Sequence, residues 1–328
     1  MPPDLVFLTG ATGFVGSHVL RALRTSGYRV RALVRGTVPR FVDLDGSEVV
    51  RGDLLRPGEL VPALRGCRYV VHVAALYTFA PAGRAAMAAV NVRGTAGLLE
   101  AARLAGVERA VVTSSSAAVG PAPRGRPATE ADWGDAAAAG YHGSKVAQER
   151  AALAARLPVV RVLPTAPVGP GDWRPTPTGR LVLDFARGHM RARPPAGGGM
   201  NLVPVEDVAR GHVLALERGR PGERYLLGGE NLSMDAVWDL LARASGRPAP
   251  RVRVPYAAAL ALAWADELRC RARPGADPAV PLEGVRMSRH AMHVDGARAA
   301  AELGYRAGPV APAVAAAVAW YRASGLAA

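Results

Sequence analysis

The stretch Thr9-Gly10-Ala11-Thr12-Gly13-Phe14-Val15-Gly16 constrains this chain more than any other. Its glycines recur at every third position. It follows the apolar run Leu5–Thr9 and opens the segment 13–24, where Val15, Val19, Leu20 and Leu23 recur at helical spacing. Glycine lets the backbone turn tightly and approach a phosphate with no Cβ in the way. The unpaired N–H groups and positive dipole end of the following helix then favour an anion. A strand, a glycine loop and a helix in that order predict the first unit of a dinucleotide-binding α/β sheet.

The strand–helix alternation continues. Arg29–Val34, Val49–Val50, Tyr69–Ala75, Ala110–Ser115 and Val159–Leu163 read as strands. Leu60–Leu64, Ala85–Ala105 and Tyr141–Arg156 read as helices. Nearly continuous apolar strands separated by helices imply a Rossmann doubly wound parallel sheet. After Pro164 the character changes, and Pro, Gly and Arg become frequent. Pro164–Arg180 predicts an ordered loop over a site, with Trp173 either a wall for a flat or apolar substrate or a plain packing residue. Leu202–Val205 and Arg224–Leu227 read as strands, and Asp207–Arg218, Ser233–Ala244 (N-capped by Ser233) and Val310–Ser324 as helices. The expected organisation is a dinucleotide-binding domain over 1–164, with segments near 201–228 returning to it. Residues 165–200 and 229–328 then form a smaller mixed C-terminal substrate-binding region. Ala257–Leu262 reads as the core face of a helix.

The chain carries 41 Lys+Arg against 27 Asp+Glu, a formal net charge of +14. The arginines are spread along the whole chain. Their densest cluster, Arg269, Arg271 and Arg273, lacks interleaved aromatics for base stacking, so a solvated surface is expected and nucleic acid is not. The longest apolar run, Ala257–Ala265, is far short of the ~20 residues of a membrane span. The N-terminus enters a strand with no basic region before it, so no signal peptide is expected. Two cysteines, Cys67 and Cys270, form neither a disulfide framework nor a metal motif, and a cytoplasmic protein is the simplest reading. His290 and His293 lack a nearby Cys or carboxylate at ligand spacing, so no metal is expected.

Lys145 is the only lysine of the chain. It stands four residues after Tyr141, on the same face of a helix. With 8 tyrosines in 328 residues, a randomly placed lysine would fall there only about 8 times in 328. A tyrosine ordinarily titrates near about 10. A close ammonium stabilises its phenolate and lets it pass protons nearer neutrality. A serine at the end of the neighbouring strand, Ser115 or Ser116 in the adjacent register, would hold a reacting oxygen beside it. After the second strand, where a carboxylate would hold a ribose 2′-hydroxyl, the sequence has Arg35, whose guanidinium suits a 2′-phosphate. NADP(H) is therefore preferred and NAD(H) possible. Asp53, followed by Leu54 after the third strand, is placed to meet an adenine edge.

These residues resemble the extended short-chain dehydrogenases/reductases, of the NAD-dependent epimerase/dehydratase type, over essentially all 328 residues. The Gly10–Gly16 loop with Thr12, Phe14 and Val15, then Asp53, Ala74, Ala75, Asn91, Tyr141 and Lys145 all have counterparts there. The segments PTPTGR, NLVPVEDVARGH and ERYLLGGENLS are similar to proteins called hopanoid-associated sugar epimerases, which in turn look like dihydroflavonol reductases. The resemblance implies Tyr141 as general acid/base, Lys145 as its partner and ribose ligand, Ser115 as carbonyl holder and Pro164 near the nicotinamide.

Reductases, epimerases and dehydratases of this kind share these residues. The Asp-Glu pair of sugar 4,6-dehydratases is replaced here by Ser116 and Ala117. The Asn that sugar-nucleotide enzymes tend to carry after the sixth strand is Ala166. The expected activity is interconversion of a carbonyl and an alcohol on a small-molecule substrate. The alternatives are a nucleotide-sugar epimerase and a non-catalytic NADP-binding regulator. A homodimer is possible.

Overall fold

The computed structural model describes residues 3–138, 140–193, 197–273 and 276–327. Seven strands form a parallel sheet. They are β1 (Leu5–Thr9), β2 (Arg29–Val34), β3 (Glu48–Arg51), β4 (Tyr69–His72), β5 (Arg109–Thr113), β6 (Val159–Pro164) and β9 (Arg224–Leu227). Their order is β3-β2-β1-β4-β5-β6-β9, and every neighbouring pair runs parallel. This is the expected doubly wound sheet. The order reverses between β1 and β4, which opens a crevice beyond the carboxyl ends of the strands.

Side-chain alternation along β1 builds two cores. Val6 and Leu8 face the helices α1 (Phe14–Thr25), α7 (Val205–Arg218) and α11 (Ala297–Leu303). Leu5 and Phe7 face α2 (Pro57–Leu64), α4 (Thr95–Leu104) and α5 (Tyr141–Leu153). The helix expected over 85–105 is interrupted. A short α3 (Arg84–Ala88) passes through a π turn, Ala89–Gly94, before α4. Two strands end earlier than their apolar runs: β4 stops at His72 and β5 at Thr113. The residues after them, Ala74 and Ser115, are thereby freed into the crevice.

The second sheet is small and mixed. Strand β8 (Gly199–Pro204) pairs antiparallel with β10 (Glu230–Ser233) and parallel with β7 (Ala166–Val168) and β11 (Ala291–Met292). Helices α6 (Pro177–Arg187), α8 (Met234–Ser245) and α12 (Val310–Ala323) bury a third core against it. Of the segment near 201–228, β8 joins this sheet, while α7 and β9 join the large one.

Helix α9 (Tyr256–Ala272) and the short α10 (Leu282–Met287) lie outside these cores. Ala257–Leu262 is not a core face. Ala259 is buried, but Ala257, Ala258, Ala261 and Leu262 are exposed. The apolar residues surround the helix, so their spacing selects no single buried side.

Candidate active site

The glycine loop sits where β1 ends. Gly10 takes a φ of +78°, which favours glycine. A Cβ there would lie 2.6 Å from the Ala74 nitrogen, and a Cβ on Gly16 would lie 1.9 Å from the Gly10 carbonyl oxygen. Loop, helix and β4 are therefore interlocked at distances only glycine permits. Gly13 N-caps α1 without a side chain, and the first turn carries no acid. The helix end is left open and positive, which suits a pyrophosphate. The Thr12 carbonyl accepts the Trp173 indole N–H at 3.1 Å, so the segment after β6 folds over the loop. Trp173 is thus tied to the loop through its indole N–H. Phe14 is buried and Val15 half-buried against the core.

The other dinucleotide candidates stand at neighbouring strand ends. Arg35 follows β2, is exposed, and pairs with no carboxylate among the described residues. Asp53 follows β3 and accepts the Leu55 N–H at 2.9 Å, while Leu54 is buried beneath it. Ala74 and Ala75 follow β4, and Ala74 donates its N–H to the Thr9 hydroxyl at 3.2 Å. Pro164 is the last residue of β6 and is buried. All of them lie at or just beyond the carboxyl ends of the parallel strands.

Tyr141 opens α5, with Gly140 as N-cap at a φ of +88°. Ser115 N-caps the short 3₁₀ turn Ser116–Ala118, its Oγ accepting the Ala117 N–H at 3.2 Å. The same hydroxyl approaches the phenol of Tyr141. Burial pushes Tyr141 up to about 12, the Ser115 hydrogen bond works against that rise, and the Glu283 charge adds to it. Lys145 is buried, with its Nζ 5.7 Å from the centre of the Tyr141 ring. Burial pulls Lys145 down to about 8, against the attraction of Glu149. Its ammonium donates to the Thr113 carbonyl at 3.2 Å and to Gln148 Oε1 at 2.8 Å. With three donors on an ammonium, one N–H has no partner among the described residues.

A buried polar chain fixes this lysine. Gln148 donates to Thr95 Oγ1 at 3.0 Å, and Thr95 donates to the Asn91 carbonyl at 2.6 Å. His72 Nε2, 2.9 Å from Thr95 Oγ1, must then be the donor, which leaves Nδ1 to accept from Thr9 Oγ1 at 2.7 Å. Burial, with the nearby Lys145 charge, pushes His72 down to about 3, so the ring is neutral and satisfied in the core. Asn91 lies in the π turn. Its amide brackets the Leu76 backbone at 2.8 and 2.9 Å and reaches Ser144 Oγ at 3.2 Å. That clamps the segment after β4 to α5.

Three residues near Tyr141 carry no motif signal. Tyr77 packs edge-on against its ring with centroids 4.6 Å apart, and Phe79 packs against Tyr77 at 4.9 Å. Glu283, 141 residues away in sequence, accepts the His142 backbone N–H at 3.3 Å. Tyr77 and Phe79 lie in the irregular segment after β4, and Glu283 on the short α10, so no periodicity marks any of them.

Comparison with known proteins follows from this arrangement. The NAD dependent epimerase/dehydratase family matches residues 6–228. A Synechocystis protein named as a candidate dihydroflavonol 4-reductase is 40% identical, the match covering 98% of this chain and 96% of the relative. Sterol demethylase protein B of Methylococcus capsulatus is 37% identical, covering 97% of this chain and 98% of the relative. The crystal structure of a nucleoside-diphosphate-sugar epimerase from Pseudomonas aeruginosa superposes with a TM-score of 0.79 at 28% identity, covering 98% of each chain.

Proposed function

Because the chain belongs to the NAD dependent epimerase/dehydratase family of extended short-chain dehydrogenases/reductases, we propose that it interconverts an apolar carbonyl compound and its alcohol with NADP(H). The observation that carries this reading is the convergence of Ser115, Tyr141 and Lys145 at the carboxyl edge of the sheet, beside an interlocked glycine loop. The loop residues Gly10, Thr12, Gly13, Phe14, Val15 and Gly16 would hold the pyrophosphate, Asp53 and Leu54 the adenine side, and Ala74, Ala75 and Pro164 the path to the nicotinamide. Arg35, which meets no carboxylate among the described residues, would take a 2′-phosphate. The bound nicotinamide supplies or accepts a hydride.

The chain's own groups handle the proton. Tyr141, held neutral by burial, donates from its phenol oxygen to the nascent alkoxide. Ser115 Oγ orients the carbonyl oxygen. Lys145 supplies a compact positive charge behind the phenol, and its remaining N–H is available to a ribose. A high tyrosine pKa suits donation, the reducing direction. The Tyr77 and Phe79 rings beside Tyr141 favour an apolar substrate over a nucleotide sugar. The relative named for a sterol agrees with that class.

Incubation with NADPH and a panel of ketones, aldehydes and nucleotide sugars tests this reading. Net NADPH oxidation with an apolar ketone is expected. A new sugar isomer with no net change in NADPH would replace it with epimerisation. Tight NADPH binding with no turnover of any compound would leave a non-catalytic regulator.

A further inference from the structure

Helix α9 is apolar on the side that faces solvent. Its buried residues, Ala259, Ala263, Glu267 and Cys270, recur at helical spacing, and the helix packs on α10 and the Pro81–Gly83 turn. Its outward side carries Ala257, Ala261, Leu262, Trp264, Ala265 and Leu268, with Leu262 58%, Trp264 48% and Leu268 69% exposed; the charge on this side is Arg269, neutralised by Asp266 at 2.7 Å. An ordinary surface helix places its charges there. Here a carboxylate is turned inward instead: Glu267 pairs with Arg84 at 3.1 Å and Arg271 at 3.2 Å.

The rim of this face is basic. Arg273, Arg286 and Arg289 are exposed, and none pairs with a carboxylate among the described residues. The guanidinium of Arg286 lies 5.4 Å from the Trp264 ring centre, and that of Arg289 lies 4.6 Å from the Tyr256 ring centre. Apolar area bordered by aromatic rings and unpaired arginines is the composition of a helix that lies in a lipid headgroup layer.

We propose that α9 docks this protein on the surface of an anionic lipid bilayer, its apolar side at the headgroup–acyl boundary and the surrounding arginines on lipid phosphates. The helix has 17 residues, and among the described residues no helix is long and apolar enough to cross a membrane, so it lies along the surface. A second copy of the chain fits this face less well. An isologous contact would set the same unpaired arginines against one another, whereas an anionic surface neutralises them. The other side of α9 packs on the turn that follows the segment whose Tyr77 meets Tyr141. The binding itself does not depend on the chemistry assigned to that site.

The test is co-sedimentation of the full chain with vesicles of phosphatidylcholine alone and of phosphatidylcholine mixed with phosphatidylglycerol. Strong binding to the mixed vesicles, little to the neutral ones, and weakening by salt are expected. Arg273→Gln, Arg286→Gln and Arg289→Gln combined should weaken binding on the order of 100-fold, about a factor of five for each charge. Leu262→Gln with Leu268→Gln should weaken it as well, with the thermal midpoint unchanged because both side chains are exposed. Absence of sedimentation, or equal sedimentation with neutral and anionic vesicles, would overturn the proposal. So would light scattering that shows a dimer dissociated by Leu268→Gln, which would assign the face to a second copy.

Discussion

The Glu283 carboxylate accepts the backbone N–H of His142 and also pairs with its Nδ1, so α10 closes the N-terminus of the helix that carries Tyr141. Gly140 makes the approach possible, because a Cβ there would lie 2.4 Å from Glu283 Oε2. A negative charge at this end suits the dipole of α5. The same charge faces Tyr141 and opposes its ionisation. Glu283→Gln should therefore lower the Tyr141 pKa. With the tyrosine as proton donor, the limb of kcat/KM that falls with rising pH should move to lower pH. An unchanged pH profile would remove Glu283 from the electrostatics of the site.

Tyr141→Phe should leave NADPH binding nearly intact and reduce turnover by at least about 100-fold. The ring still packs against Tyr77, and only the oxygen that carries the proton is lost. Cofactor titration beside steady-state kinetics separates the two effects.

Arg35→Ala should weaken NADPH about 10-fold or more while leaving NADH unaffected, since a charge-assisted contact to the 2′-phosphate is all that differs. Nicotinamide fluorescence titrations with both cofactors read this. Equal losses for the two would assign Arg35 to the surface.

Much of this site was legible in local sequence. Gly10, Gly13 and Gly16 announced the loop because their constraint is steric and confined to one strand–helix junction. Tyr141 and Lys145 were legible because four residues is about one helical turn. Where each apolar run would stop pairing was less visible. β4 ends at His72, although Val73 and Ala74 still pack on the cores, and β5 ends at Thr113, before Ser114 and Ser115. The Glu283 cap could not be read locally, because α10 reaches α5 only through tertiary packing. The exposure of α9 was misread as core, since alanine-rich spacing does not tell an inward side from an outward one.

Glu149, four residues beyond Lys145, is fully buried between two arginines. It meets Arg161 at 3.1 Å and Arg224 at 2.9 Å, and it accepts the Ser114 hydroxyl at 2.7 Å. Glu149→Gln leaves two buried guanidinium groups without their counter-charge. Urea unfolding should show a loss of about 3–5 kcal/mol.

Asp172 gives the stability a pH dependence. Burial pushes its carboxyl up from 3.8 to about 6, against hydrogen bonds from the Thr176 N–H and hydroxyl. The folded state therefore favours the protonated acid. That contribution is complete below the unfolded pKa and is lost as pH rises through the folded one. Between pH about 4 and 7 it amounts to at most roughly 3 kcal/mol. Asp172→Asn should flatten that part of the stability–pH curve, as read by urea unfolding across the range. An identical slope in both proteins would place the titration elsewhere.

The order in which the chain visits its two sheets limits how such a protein can diversify. It leaves the large sheet after β6, builds β7 and β8, and then returns through α7 and β9 before leaving again. A crossover between genes at Pro164 would strip β6 of its neighbour and α1 of the helix packed against it, exposing a bare strand edge. The half after Pro164 is thus no interchangeable cassette. New specificities have to arise by substitutions within one inherited chain, and its two halves have to change in step.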